Sequence, residues 1–220
     1  MVNRHQNGHD PGTDTRTLAG RAVHGAASSY LVAHLPVPLA LVRPFLLHDD
    51  AQENDHDGWS RLGAPAEAAR YAAVRSLCHA YAPDGNLLDV GCSQGLLHEG
   101  LSYGRYVGID AHEKPLVQAR QCADDRTSFL RADADRYEPA APLDAVIFNE
   151  VLYYLPRPVR TVQRLARRLA PRGVLIVSMY RAWATTRIMR QISALFPVVE
   201  NRPVTGPSGL AWTVTVFRPG

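Results

Sequence analysis

The nine residues "LLDVGCSQG" at positions 87–95 constrain the fold of this chain more than any other stretch. A glycine-rich loop follows a short apolar run, an order typical of the first strand and loop of a sheet that binds a nucleotide. The same loop contains the letters G-x-S-x-G, from Gly91 to Gly95, which also mark the nucleophile elbow of α/β-hydrolases. Ser93 is therefore either a nucleophile or a small residue in a ligand-binding loop.

The histidines decide between these two interpretations. A hydrolase of this type needs a histidine late in the chain, after the serine and the acid of its triad. The histidines after Ser93 are His98, which falls on the helix expected after the loop, and His112. From Glu113 to the end the sequence has none. The triad cannot be assembled, so the sequence favours a ligand-binding loop.

Short apolar runs alternate with helix-like segments through the rest of the chain. These runs are "LLDV", "YVGI", "SFL", "DAVIF" and "VLIVSMY". The alternation predicts an α/β fold with a doubly wound, Rossmann-like parallel sheet and helices on both faces. The last two apolar segments, "FPVVENRPV" and "LAWTVTVFRP", flank a "TGPSG" turn and predict an antiparallel end of the sheet.

Two helices are predicted with definite buried faces. The first begins at Ala64-Pro65, with proline in its first turn. Its predicted face consists of Ala69, Ala72, Ala73, Leu77 and Ala80. The second, "VRTVQRLARRLA", is expected to stop before Pro171 and Gly173. Its predicted face consists of Val162, Leu165, Ala166 and Leu169.

Acidic residues stand at the ends of three successive predicted strands. These residues are Asp89, Asp110 and Asp133. The carboxyl ends of parallel strands meet at one edge of the sheet, where Asp110 is well placed to accept hydrogen bonds from both hydroxyls of a ribose. Asp133 could accept one from an adenine amino group while the backbone N–H of Ala134 meets a ring nitrogen. The pattern predicts a ligand that contains adenosine.

Taken together, these segments resemble the class I S-adenosylmethionine-dependent methyltransferases. "LLDVGCSQG" resembles their motif I with Ser93 in place of the middle glycine, "GID" the ribose-binding motif and "RADADRY" the adenine-binding motif. "LDAVIFNEVLYYLP" resembles the fourth-strand motif, and "LARRLAPRGVLIVS" a late helix–strand segment with Arg172 in place of a glycine. The resemblance covers residues 64–220. "GCSQGLL" and "NEVLYYL" are closest to the group that includes nodulation N-methyltransferases.

The resemblance implies a seven-stranded sheet, S-adenosylmethionine as cofactor and specific site residues. By this resemblance, motif I would line the methionine part of the cofactor, and Asp110 would bind its ribose. Asp133 and Ala134 would hold its adenine, and Asn149 would contact the side of its ammonium group. The full cofactor-binding set is Asp89, Gly91, Cys92, Ser93, Gly95, Asp110, Ala111, Asp133, Ala134 and Asn149. The candidate catalytic residues are Glu150, Tyr153 and Tyr154. Glu150 could instead cap a helix or pair with an arginine, and one of the two tyrosines could serve only packing.

The expected reaction is methyl transfer to a nitrogen or oxygen of a small molecule of sugar or natural-product type. A methyltransferase-fold module that binds the cofactor without turnover is the alternative. A nicotinamide enzyme is disfavoured because the loop lacks G-x-G-x-x-G and the sequence shows no obvious hydride-transfer pair. Cys92 is expected to be a small filler rather than a reactive thiol.

The rest of the sequence bounds location and partners. The 24 basic and 21 acidic residues give a net charge of +3, too small and too evenly spread to predict a nucleic-acid partner. The absence of an apolar leader, and three cysteines without a metal or disulfide pattern, predict a cytoplasmic location. The proline-broken run over residues 30–42 is too short to span a membrane.

Three parts of the chain are distinguished by composition. Residues 1–16 are predicted to be a disordered tail, 17–63 an appendage, and 64–220 the methyltransferase domain. The appendage, with Tyr30 and Trp59 beside Tyr71 of the domain, could form a lid over the site, a homodimer interface or simple packing. Its acidic stretch at 49–57 is expected to be solvated, so no metal site is predicted.

Overall fold

The computed structural model describes residues 61–207 and 209–220, and in them seven strands form one sheet. The strands are β1 (Asn86–Val90), β2 (Arg105–Asp110), β3 (Thr127–Arg131), β4 (Leu143–Asn149), β5 (Leu169–Tyr180), β6 (Val198–Thr205) and β7 (Ala211–Phe217). The helices are α1 (Pro65–Tyr81), α2 (Glu113–Ala119), α3 (Pro158–Ala166) and α4 (Trp183–Ser193). Short 3₁₀ turns lie at Arg61–Gly63, Arg120–Cys122 and Leu152–Tyr154.

The sheet order is β3-β2-β1-β4-β5-β7-β6. Strands β1 to β5 run parallel, and β7 is antiparallel to both β5 and β6. The predicted fold class is therefore confirmed, including the antiparallel end. Residues 1–60, with the predicted tail, most of the appendage and the acidic stretch, lie outside the described residues.

Two hydrophobic clusters cover the two faces of the sheet. On one face, α1 and α2 pack against alternate residues of the strands, such as Leu87 and Ile147. On the other, α3 and α4 pack against the residues between them, such as Leu88 and Phe148. Because the central strands are buried on both faces, their sequences read as continuous apolar runs, which is why the strands could be predicted.

The segment after the first strand differs from the prediction. Residues 91–100 form a series of turns, and His98 lies in these turns rather than on a helix. Gly91, Gly95 and Gly100 all have positive φ angles, which a regular helix does not accommodate. The chain therefore crosses from β1 to β2 without a helix.

The two predicted helices are present, but their details were partly wrong. In α1, Ala72 and Ala80 are exposed, and the buried face consists of Arg70, Ala73, Val74, Leu77 and Cys78. Alanine marks a buried face weakly because it is also the best helix former. Helix α3 ends at Ala166, and Leu169 already pairs with Leu143 in the sheet. Sheet pairing thus ends α3 earlier than predicted.

Candidate active site

A cavity of about 500 Å³ opens at the carboxyl ends of β1, β2 and β4. It is bounded by the turn after each strand and, on the side of α1, by Leu62, Arg70 and Tyr71. Twelve of the thirteen predicted site residues line it: Asp89, Gly91, Cys92, Ser93, Asp110, Ala111, Asp133, Ala134, Asn149, Glu150, Tyr153 and Tyr154. Gly95 is not part of the lining.

Asp89, at the end of β1, is a buried acid with one oxygen left unsatisfied. Its side chain is only 2% exposed, and Tyr106 donates a hydrogen bond of 2.6 Å to Oδ2. Its Oδ1 has no partner in the described part of the chain. Burial raises the pKa of Asp89 to about 7, against the lowering effect of the Tyr106 hydroxyl. A positively charged donor in the cavity would satisfy this oxygen and favour the ionised form.

Asp110, at the end of β2, is held in place by two backbone groups. The N–H of Ser93 donates to Oδ2 at 3.0 Å, and the N–H of His112 donates to Oδ1 at 2.9 Å. Each carboxylate oxygen has a second lone pair that can accept another hydrogen bond. The fixed carboxylate can therefore accept from two adjacent hydroxyls of a ligand.

The glycine-rich loop directs its N–H groups into the protein. The N–H groups of Gly91 and Cys92 both donate to the carbonyl of Ile109, at 2.8 and 3.0 Å. With the N–H of Ser93 bound to Asp110 and no helix over residues 91–100, nothing here resembles the helix N-terminus that binds a pyrophosphate. The loop geometry therefore disfavours a dinucleotide.

Two positions in this loop require glycine for different reasons. Gly91 has φ of +74°, and a Cβ there would overlap the side chain of Val151, which lines the cavity. Gly95 has φ of +79°, and a Cβ there would lie 2.8 Å from the Phe129 ring in the core. Gly91 thus leaves room for the Val151 side chain in the cavity wall, whereas Gly95 leaves room for the Phe129 ring in the core.

Ser93 shows no feature of an activated nucleophile. Its side chain is buried, and its Oγ has no hydrogen-bond partner among the described residues. His98 instead directs Nδ1 to the carbonyl of Gly95 at 2.5 Å and packs against the rings of Tyr106 and Phe129. Cys92 is also buried, and burial raises the pKa of its thiol. Among the described residues, neither Ser93 nor Cys92 therefore has a base that could activate it as a nucleophile.

Helix α3 holds the turn that follows β3. The guanidinium of Arg164 donates to the carbonyls of Ala134 and Tyr137, at 2.5 and 2.6 Å, and forms an ion pair with Glu138 at 2.9 Å. Asp133 turns its own loop by accepting the N–H of Asp135 at 2.9 Å. The Asp133–Ala134 edge of the cavity is thus anchored to a helix rather than left as a free loop.

Glu150 follows β4 and lies where the cavity meets the Tyr153–Tyr154 turn. Its φ of +59° is in the left-handed region, which is costly for a residue with a Cβ. Tyr153 Oη donates to Oε2 at 3.1 Å and Ser178 Oγ donates to Oε1 at 3.4 Å. Burial raises the pKa of Glu150 to about 7, although the charge of Arg70 acts in the opposite direction. Glu150 caps no helix and has the properties of a proton acceptor near neutral pH.

The two tyrosines after Glu150 both line the cavity. The ring centroids of Tyr153 and Tyr154 lie 4.5 Å apart, and Leu155 continues the same wall. Tyr153 joins this packing to a hydrogen bond with Glu150, so it combines both roles that the sequence left open.

Arg70 of α1 is a site residue that the sequence analysis missed. Its side chain is only 2% exposed, and its Nε and Nη2 lie 2.9 and 2.8 Å from Glu67 Oε2. Its Nη1 donates to Oδ1 of Asn149, which ties α1 to the end of β4. The available signal was an arginine at an apolar helix position, three residues after a glutamate.

Two further absences apply to residues 61–207 and 209–220. In that part of the chain, no group of histidines, cysteines and acids could hold a metal ion. No helix there is long and apolar enough to cross a membrane. The acidic stretch at 49–57 lies outside this range.

Comparison with known proteins adds independent findings. Residues 88–177 match the sequence profile of a family described as a methyltransferase domain. The chain is 35% identical over 111 residues to the trans-aconitate 2-methyltransferase of Azoarcus sp. (strain BH72), covering 48% of this chain and 44% of the relative. It is 32% identical over 129 residues to the same enzyme of Escherichia coli O157:H7, covering 56% and 49%. The chain thus spans a little under half of the length of these curated relatives.

The fold is shared with the N-methyltransferase NodS of Bradyrhizobium japonicum WM9 in its complex with S-adenosylhomocysteine. The TM-score is 0.67 at 22% identity, covering 77% of this chain and 95% of NodS. Residues 88–177 thus match the methyltransferase family that the sequence motifs predicted, and the sheet has the seven strands and the antiparallel end that this resemblance implies.

Proposed function

We propose that this protein is an S-adenosylmethionine-dependent methyltransferase that acts on a nitrogen or oxygen of a small molecule. The observation that carries the proposal is the unpartnered, buried Oδ1 of Asp89 beside the fixed carboxylate of Asp110 in one cavity. These two groups match a ligand that has a cationic donor at one end and a diol in the middle. The inward-facing N–H groups of the loop fit a ligand without phosphates.

Specific residues of the lining would hold the cofactor. Asp89 would accept from its ammonium group and Asp110 from its ribose hydroxyls, while Asp133 and Ala134 would border its adenine. Asn149, whose side-chain oxygen is already bound by Arg70, would border the methionine end. When bound, S-adenosylmethionine supplies a methyl group on a positively charged sulfur, which keeps the electron pair of the broken C–S bond.

The remaining lining residues would prepare the acceptor. Glu150 would take a proton from it or orient it, and Tyr153 would hold the carboxylate of Glu150 in place. Tyr154, Leu155 and Leu62 would exclude water from the reacting atoms. Such a site needs few catalytic groups, because positioning supplies most of the rate for an activated methyl donor.

The relatives support this coarse acceptor class. Trans-aconitate 2-methyltransferases, by their name, act on a small polycarboxylic acid. A fold neighbour from Burkholderia thailandensis is a 1,6-didemethyltoxoflavin-N1-methyltransferase, with a TM-score of 0.62 at 18% identity, covering 84% of this chain and 91% of the neighbour. The named acceptors of these two enzymes are thus small molecules, one of them methylated on a nitrogen. We further propose that residues 64–220 form the methyltransferase domain and residues 17–63 an N-terminal appendage or lid.

Titration calorimetry with S-adenosylhomocysteine, with NADH in parallel, tests the proposed cofactor. We expect micromolar binding of S-adenosylhomocysteine alone. The variant Asp110→Asn should weaken it by about 2 kcal/mol, or roughly 30-fold, because one charge-assisted contact to the ribose is lost. Unchanged affinity would remove Asp110 from the ribose role. Binding of the cofactor with no methyl transfer to any amine, hydroxyl or carboxylate acceptor would favour a catalytically silent module instead.

A further inference from the structure

We infer that the acceptor is a protonated amine that binds to the carboxylate of Glu150 and gives its proton to it. The inference rests on the proposed methyltransferase function and narrows its acceptor from nitrogen or oxygen to an amine nitrogen. It also separates this chain from the carboxylic acid named in the trans-aconitate relatives.

The charge of the cavity lining is the first step. The described lining contains one guanidinium, that of Arg70, and four carboxylates. The carboxylates are those of Asp89, Asp110, Asp133 and Glu150. Three of them belong to the proposed cofactor site, which leaves Glu150 as the carboxylate at the acceptor end. An acceptor that carries its own carboxylate would therefore meet the like charge of Glu150.

The second step is that Arg70 is already engaged. Glu67 neutralises it through contacts of 2.8 and 2.9 Å, and Asn149 takes a third N–H. Arg70 is also only 2% exposed, so a ligand can contact almost none of its side chain directly. The described lining therefore offers a carboxylate acceptor no unneutralised cation, whereas it offers a cationic acceptor the carboxylate of Glu150.

The environment of Glu150 is the third step. Arg70 and Glu67 face it from α1, Tyr153 donates from the turn after β4, and Ser178 donates from β5. A backbone N–H of Tyr180 also donates to this carboxylate, and together these three hydrogen bonds fix it and leave one lone pair for the acceptor. The positive φ of Glu150 shows that the fold holds this side chain here at a conformational cost.

The proton balance favours an amine over an alcohol. An alkylammonium ion has a pKa of about 10, which is about three units above the pKa of about 7 of the Glu150 carboxyl. An alcohol is a far weaker acid than an alkylammonium ion, so the gap between its pKa and that of the Glu150 carboxyl is much larger. The ammonium N–H bond breaks and the proton binds Glu150. The freed lone pair would form the new N–C bond while the C–S bond of the methyl donor breaks and its electron pair stays on sulfur. A phenol has a pKa similar to that of the ammonium ion, but it carries no positive charge that the carboxylate of Glu150 could attract.

Binding of a matched set of probes to the full chain saturated with S-adenosylhomocysteine tests the inference. The probes are benzylamine, benzyl alcohol, p-cresol and benzoate, measured by ligand-observed NMR. We expect benzylamine to bind at least tenfold more tightly than the other three. Glu150→Gln should abolish this preference, and the exposed control Glu99→Gln should keep it. S-adenosylhomocysteine affinity should stay within threefold in both variants.

The pH dependence supplies a second readout. Because Glu150 must be ionised to bind the ammonium, benzylamine affinity should rise about tenfold between pH 6 and pH 8 in the wild type and stay flat in Glu150→Gln. Tighter binding of benzoate, no preference, no binding of any probe, or the same pH profile in Glu150→Gln would each overturn the amine inference. S-adenosylhomocysteine binding in the same samples would show separately whether the proposed cofactor site is intact.

Discussion

Two buried acids of the same cavity differ in how the protein satisfies them. Asp110 accepts two backbone N–H groups, whereas Asp89 accepts one phenol hydroxyl and keeps an unpartnered oxygen. Burial therefore raises the pKa of Asp89 to about 7. Its stabilising contribution is fully present below the unfolded-state pKa, near 4, and is lost as pH rises through about 7. The buried carboxylate of Asp89 thus lowers the stability of the ligand-free protein above pH 7, but it can attract a cationic group of a ligand.

The variant Asp89→Asn tests the effect of this buried carboxylate on stability. Asparagine keeps the shape and cannot ionise, so the ligand-free variant should gain stability over the wild type as pH rises from 4 to 7, with no further gain above. We expect the gain between pH 4 and pH 8 to be on the order of 4 kcal/mol, since each unit of the pKa shift corresponds to about 1.4 kcal/mol, measured by urea unfolding at each pH. Asp125→Asn, at an exposed position, is the control and should show no such trend. A pH-independent difference would contradict the raised pKa.

At the scale of elements, α3 acts on the cavity although it does not line it. Arg164 bonds two carbonyls of the turn after β3, and Thr161 and Arg157 bond Asp135 in the same turn. The variant Arg164→Met keeps the aliphatic stem and removes these donors, so the Asp133–Ala134 edge should lose its anchor. We expect S-adenosylhomocysteine affinity to fall about tenfold, or about 1.4 kcal/mol, by calorimetry.

A tenfold loss of affinity is also expected from general destabilisation of the protein. The selectivity between two related ligands is therefore the more specific measurement. Discrimination between S-adenosylhomocysteine and its inosine analogue, which lacks the exocyclic amino group, should shrink in Arg164→Met if the turn positions an adenine contact. Arg160→Met, an exposed arginine of the same helix, should behave as the wild type. Equal losses for both ligands would reduce Arg164 to a stabilising role.

The elements also show what the sequence could and could not predict. Strands β1, β4 and β5 were predictable because burial on both faces makes most of their central residues apolar. The residues 91–100 were not, because three glycines with positive φ interrupt the expected helix. Arg70 was missed because its value to the site depends on Asn149, 79 residues away, and no local pattern shows such a contact. Tyr106, the partner of Asp89, was missed for the same reason.

At the scale of the whole molecule, the described lining of the cavity comes from one continuous part of the chain. Its described lining runs from Leu62 to Pro156, and the sheet that supports it is completed by β6 and β7. Helix α1 closes one side through Arg70, and its Arg75 donates to the carbonyls of Leu96 and Leu97 in the turns after β1. The supports that the structure describes for the cofactor part of the cavity therefore all lie within residues 61–207 and 209–220.

This organisation predicts separate behaviour for the two proposed parts of the chain. A fragment of residues 61–220 should fold and bind S-adenosylhomocysteine within about threefold of the full chain, because Asp89, Asp110 and their partners are all retained. Acceptor binding should weaken more than tenfold if residues 17–63 cover the site, since a covering segment adds contacts and excludes water. Circular dichroism and calorimetry on both proteins measure this. Loss of cofactor binding in a folded fragment would instead assign part of the cofactor site to residues 1–60, and unchanged acceptor binding would remove the covering role.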